Sequence, residues 1–160
     1  MLDSDVKCFI FSSSCATYGI PKIVPITETH LCQPINPYGE SKVGTEDYIQ
    51  QFDSGKINYI ILRYFNVAGA DPYLRSGLIS ENPTHLIKIA SEVAVKKRND
   101  IVIYGDDYPT SDGTTIRDFI HVSDLAEVHI LSLNYLLKNS SSLTMNCGYG
   151  YGYSVKQILD

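Results

Sequence analysis

Tyr38 and Lys42 lie four residues apart in Pro37-Tyr38-Gly39-Glu40-Ser41-Lys42, a spacing that brings both side chains to one face of a helix. A free tyrosine phenol ionises near ~10, too high to serve as a base at neutral pH. A cation held one turn away favours the phenolate, so a tyrosine paired in this way can take a proton from a sugar or alcohol hydroxyl. Ser14, the last residue of Ser12-Ser13-Ser14, adds a hydroxyl that can hydrogen-bond the same substrate oxygen if a strand end presents it. A lone Tyr-x-x-x-Lys is most often two helical residues at ordinary spacing, so the surrounding elements must decide.

Those elements read as an α/β chain. Cys8-Phe9-Ile10-Phe11 runs straight into the three serines, a buried strand with small hydroxyls at its C-terminal end, where parallel sheets place their ligands. Residues 19–37 hold four prolines and form a loop. Asn36 then supplies an N-cap amide and Pro37 a first helical position. Tyr38, Lys42, Thr45, Ile49 and Phe52 recur at helical intervals until Ser54-Gly55 ends the run. Ile57 to Phe65 reads as a strand with a continuous apolar centre, closed by the small-residue loop Asn66-Val67-Ala68-Gly69-Ala70. Strand, helix and strand predict one right-handed crossover of a parallel sheet. Beyond a loop over 71–83, the pattern predicts an amphipathic helix from His85 to Lys97 and a short strand from Asp100 to Tyr104. An extended stretch over 116–122, a helix opened by Ser123 and Asp124, a strand at Met145-Asn146-Cys147 and a helix starting at Ser154 complete the chain.

Composition narrows the function classes. The 160 residues suffice for a packed core, and 44% hydrophobic with 19% charged residues is ordinary for a globular chain. A net charge of −5 argues against nucleic acid as the main partner. The four cysteines form no Cys-x-x-Cys pair and no metal-ligand spacing, so no metal is expected. Reduced cysteines point to the cytoplasm. No apolar run is long enough to span a bilayer. Gly148-Tyr149-Gly150-Tyr151-Gly152 has the wrong spacing for a G-x-G-x-x-G dinucleotide loop and reads as a glycine turn.

Five blocks follow in order: Ser12-Ser13-Ser14 with Tyr18-Gly19, Pro37 to Lys42, Arg63-Tyr64-Phe65-Asn66-Val67-Ala68-Gly69-Ala70, Tyr104 to Thr114, and Arg117-Asp118-Phe119-Ile120-His121-Val122-Ser123-Asp124-Leu125-Ala126. The series resembles the UDP-glucose 4-epimerase family of extended short-chain dehydrogenases/reductases. The resemblance implies a partial Rossmann-like parallel sheet with part of a smaller α/β substrate domain. Residues 1–70 would carry the C-terminal part of the NAD-binding domain. Residues 71–160 would mostly form the UDP-sugar domain, with 115–150 partly returning to the sheet. It implies interconversion of UDP-glucose and UDP-galactose by NAD-dependent oxidation and reduction at sugar C4. Tyr38 would take the proton of the 4-hydroxyl, Lys42 would assist it and bind the nicotinamide ribose, and Ser14 would hydrogen-bond the substrate. Ser14, Tyr38, Lys42 and Phe65 would contact NAD. Asn66, His85, Leu86, Tyr104 and Arg117 would contact the UDP-sugar. The family pairs as homodimers. Because the family's glycine-rich NAD loop and its C-terminal end have no counterpart here, the resemblance also implies a central fragment that works with a missing N-terminal half.

Competing readings stand beside these. Arg117 and Asp118 suit a surface ion pair, Asn66 a turn, Phe65 a core position and His121 a hydrogen-bonded packing residue. A related dehydratase would carry Asp-Glu after the hydroxyl residue, where this chain has Cys15-Ala16-Thr17. An epimerase for another UDP-sugar, or an inactive remnant that only binds a UDP-sugar, completes the alternatives.

Overall fold

A computed structural model describes residues 4–51, 57–139 and 141–160. In chain order the elements are β1 (Cys8–Ser14), a 3-10 turn (Cys15–Tyr18), α1 (Pro37–Gln51), β2 (Asn58–Tyr64), β3 (Asn66–Ala68), α2 (Leu86–Ala94), β4 (Ile116–Arg117), β5 (Phe119–His121), α3 (Val122–Asn139), β6 (Leu143–Cys147), β7 (Tyr153–Ser154) and α4 (Val155–Leu159). They group into two units, Met1–Phe65 with Leu125–Gly148, and Asn66–Asp124 with Tyr149–Asp160.

The first unit is a parallel sheet in the order β1-β2-β6. The central strand β2 is covered on both faces, and Ile60, Ile61 and Leu62 are fully buried. That explains its unbroken apolar run: a strand enclosed on both sides has no polar face to alternate with. Helix α1 connects β1 to β2 as the sequence predicts. Its start follows the expected chemistry, with the Asn36 side-chain oxygen accepting from the Gly39 N–H at 2.8 Å. The buried residues of α1 are Gly39 and Glu46, not an apolar stripe. The C-terminal residues foreseen for this helix, Phe52, Ser54 and Gly55, lie outside the described residues.

The second unit is built from short ladders. β3 and β5 pair in parallel, and β4 and β7 pair antiparallel. Helix α4 opens with a full capping box, Ser154 Oγ accepting from the Gln157 N–H while the Gln157 side chain accepts from the Ser154 N–H. Asp112 holds this junction. Its carboxylate accepts from the Thr114 N–H and Oγ1, both at 2.8 Å, and from Ser154 Oγ. The Asp112 carbonyl accepts from Lys156 Nζ at 2.8 Å.

Three expectations differ from what is found. Asp100 to Tyr104 forms no strand. The run has no ladder partner among the described residues, and Val102 and Tyr104 are exposed. Asn66–Ala68, expected as loop, is a three-residue strand because Phe119–His121 pairs with it in register. Helix α2 ends at Ala94, short of Lys97, because Lys96 adopts a positive φ of 58° and the Lys97 N–H turns back to the Glu92 carbonyl at 2.8 Å. Among the described residues no helix is long and apolar enough to cross a membrane, and no His/Cys/Asp/Glu cluster could hold a metal ion. Cys8, Cys15, Cys32 and Cys147 form no disulfide among the described residues, and burial pushes the Cys147 thiol up to about 11.

Candidate active site

The C-terminal end of β1 and the first turns of α1 bring the proton-transfer candidates into one unit. Helical spacing puts Tyr38, Lys42 and Glu46 on one line at i, i+4 and i+8. The Lys42 ammonium donates to the Ser12 carbonyl at 2.9 Å. It also stands over two rings, 5.6 Å from the Tyr38 centroid and 5.1 Å from that of Phe11. Tyr38 itself is 54% exposed, so its phenol is open to a substrate. Bonding to Ser12 occupies one of the three ammonium donors, and the other two have no hydrogen-bond partner among the described residues.

Ser14 ends β1 and caps the 3-10 turn, its hydroxyl accepting from the Ala16 N–H at 3.2 Å. Capping uses a lone pair and leaves the hydroxyl proton available for a substrate oxygen. Ser12 is held from a second side by His129 of α3. The His129 Nδ1 lies 2.8 Å from the Leu125 carbonyl and therefore carries the proton, so Nε2 accepts from Ser12 Oγ at 3.3 Å. Phe65 follows β2, half-buried, with its N–H donating to the Cys147 carbonyl at 3.3 Å.

The remaining candidates belong to the second unit. Asn66 opens β3, its N–H donating to the Asp118 carbonyl at 3.0 Å while its side chain is exposed. His85 is the N-cap of α2, and its ring makes no capping bond. Leu86 is half-buried in the first turn, and Tyr104 is 98% exposed. Arg117 lies exposed in β4, with no side-chain hydrogen bond or ion pair among the described residues. Asp118 does not pair with it. Its carboxylate instead accepts from the N–H groups of Tyr149 at 3.1 Å and Gly150 at 2.9 Å. These bonds take up the N–H groups of Tyr149 and Gly150 within the glycine run. His121 packs as expected, Nδ1 accepting from the Ser123 N–H at 3.1 Å.

Sequence reasoning missed a polar network beneath Lys42. Ser13, Arg63 and Asn146 occupy facing positions on β1, β2 and β6. Glu46 reaches this row from α1, accepting from Arg63 Nε at 3.0 Å, from Arg63 Nη2 and from Ser13 Oγ. Arg63 Nη1 donates to the Tyr18 hydroxyl at 3.0 Å, which donates on to Asn146 Oδ1 at 2.7 Å. Burial opposes the Arg63 charge, but bonding to Glu46 and Tyr18 outweighs it and raises the guanidinium above its ordinary value. The available signal was an arginine closing an otherwise apolar strand.

As a cofactor site the first unit is partial. The free donors of Lys42, the open Tyr38 phenol and half-buried Phe65 suit the nicotinamide-ribose end of NAD. The sequence holds no G-x-G-x-x-G loop for the pyrophosphate.

Comparison with known proteins identifies the family. Residues 1–148 match the model of the NAD dependent epimerase/dehydratase family. The chain is 50% identical over 159 residues to a UDP-glucose 4-epimerase of Azospirillum brasilense, covering 99% of this chain and 46% of that one. A second UDP-glucose 4-epimerase, from Rhizobium leguminosarum bv. trifolii, is 45% identical over 155 residues, 96% of this chain and 47% of that one. Among solved structures, the Stenotrophomonas maltophila UDP-glucose-4-epimerase with bound NAD and formylated UDP-arabinopyranose superposes with a TM-score of 0.92 at 36% identity, over 98% of this chain and 48% of that one. The Brucella ovis UDP-glucose 4-epimerase in complex with NAD gives 0.88 at 43% identity, over 95% and 47%. The chain thus spans about half the length of the curated relatives it matches. With an α/β parallel sheet and a family match over residues 1–148, the chain belongs to the NAD dependent epimerase/dehydratase family.

Proposed function

We propose that this chain supplies the proton-transfer residues and several UDP-sugar contacts of a UDP-glucose 4-epimerase, which interconverts UDP-glucose and UDP-galactose. NAD, when bound, supplies the acceptor and donor of the C4 hydride. The chain's own residues handle the proton. Tyr38 accepts it from the 4-hydroxyl and returns it to the new one, Lys42 places a positive charge beside the phenol, and Ser14 donates a hydrogen bond that orients the same oxygen. Lys42 would also hold the nicotinamide ribose with the two donors that have no hydrogen-bond partner among the described residues, and Phe65 would flank the nicotinamide. In the second unit the Arg117 guanidinium has no hydrogen-bond partner among the described residues, which suits a diphosphate. Asn66 supports the diphosphate side, and His85, Leu86 and Tyr104 the uridine. We assign the first unit to the NAD-binding domain and the second to UDP-sugar binding.

The observation that carries this reading is the Lys42 ammonium, fixed on the Ser12 carbonyl and 5.6 Å from the ring of the exposed Tyr38. The position after Ser14 favours an epimerase over a dehydratase, since Cys15-Ala16-Thr17 offers no carboxylate for eliminating water. The test is a chimera in which this chain replaces the matching stretch of the Azospirillum brasilense relative. The chimera should epimerise UDP-galactose, and Tyr38→Phe should lower kcat by about 10²–10⁴-fold. A folded chimera as active with Tyr38→Phe as without it would remove Tyr38 as the base.

A further inference from the structure

Helix α1 must hold Lys42 against a backbone carbonyl, yet it offers the sheet no buried apolar stripe. Its two buried residues flank Lys42: Gly39 three residues before and Glu46 four residues after. At Gly39 the helix lies so near the 3-10 turn that a Cβ would meet the Ala16 carbonyl oxygen at 2.5 Å. At Glu46, which is 2% exposed, the carboxylate is gripped by Arg63 and Ser13. Apolar surfaces can slide or roll over one another, whereas a guanidinium fork fixes both direction and distance. Ser13 and Arg63 are facing residues of β1 and β2, so the fork refers α1 to one position on the sheet. Ser12, whose carbonyl receives Lys42, is the neighbouring residue on β1.

We propose that Glu46 is a positioning residue for the proton-transfer pair: through Arg63 and Ser13 it sets the rotation and axial position of α1, and so the placement of Lys42 on Ser12 and of Tyr38 beside it. This rests on the reading of Tyr38 and Lys42 as that pair, but its geometric part can be measured without turnover.

Glu46→Gln is the direct variant. Because it leaves Arg63 buried without a counter-charge, the double variant Glu46→Leu/Arg63→Met is the second, replacing the pair by apolar groups of similar size. The geometric readout is the Lys42 ammonium in the ¹⁵N-lysine NMR spectrum of the full chain, assigned by its loss in Lys42→Arg. A hydrogen-bonded, half-buried ammonium exchanges its protons slowly enough to be seen, and a freely solvated one does not. The resonance should be present in the parent chain and absent from either variant that keeps a cooperative melt. In the chimera the same substitutions should lower kcat by about 10²-fold and change KM less than ~3-fold. A folded variant that retains the resonance, or the parental kcat, reduces Glu46 to a stabilising ion pair and overturns the proposal. Loss of the resonance alongside a parental chimera without epimerase activity would uphold the positioning role and refute the functional reading instead.

Discussion

Single residues in this chain divide into those left open and those bound into the fold. Tyr38, Tyr104 and Arg117 are exposed, and Arg117 is unpaired among the described residues. Asp112, from a block that carries the family resemblance, does the opposite. Its hydrogen bonds from Ser154, then from the Thr114 N–H and hydroxyl, hold its carboxyl below the ordinary carboxylate value. A carboxyl lowered on folding stabilises the native state above its unfolded value, near ~3.9, and that contribution disappears as pH falls through the lower folded value. Asp112→Asn should therefore lower Tm at pH 7, and the gap from the parent should narrow in melts run progressively below about pH 4. A gap independent of pH would mean that the carboxylate charge contributes nothing there.

At the scale of elements, α1 illustrates docking without an apolar face. Gly39 and Gly44 both lie inside this helix, and intrinsic propensity favours alanine at each by about 1 kcal/mol. Their surroundings differ: a Cβ on Gly39 would meet Ala16 O at 2.5 Å and Pro34 Cβ at 2.8 Å, while Gly44 has nothing within 4 Å. Urea unfolding should accordingly show Gly44→Ala stabilising by about 0.5–1 kcal/mol and Gly39→Ala destabilising by about 1–3 kcal/mol. Equal effects at the two sites would mean that α1 does not approach the 3-10 turn as closely as described. Most elements were legible because their signals are local. Asn36-Pro37 marks a helix start and Ile60-Ile61-Leu62 a covered strand, each within a few residues. The short strands were less legible: Asn66–Ala68 becomes a strand only because residues 119–121 lie beside it, and Asp100 to Tyr104 has no ladder partner among the described residues and forms none.

For the molecule as a whole, β1 is paired on one side only among the described residues, with β2. An open parallel edge is a docking or aggregation surface. Purified alone, the chain should elute from size exclusion above its monomer mass, retain no NAD and leave UDP-galactose unchanged. Co-production with the N-terminal half of the Azospirillum brasilense relative should yield a defined complex that binds NAD. A monodisperse monomer carrying about one equivalent of NAD would contradict this. The candidate pair Tyr38 and Lys42 could be found by spacing because both sit on one helix. The Glu46–Arg63–Ser13 contact could not, since it joins three elements and the arginine ending an apolar run marks only one of them.

That polar row across β1, β2 and β6 also bears on how the sheet is assembled. Three largely apolar parallel strands can slip past one another by a residue with little loss of hydrophobic contact, apart from the reversal of faces. Only in the native alignment does Arg63 lie between Ser13 and Asn146 with Glu46 above it. Any slipped alignment would trap a guanidinium in the interior without its carboxylate, at a cost of several kcal/mol. The row thus acts as a register mark for the sheet, making the native alignment the one in which the buried charge is paired.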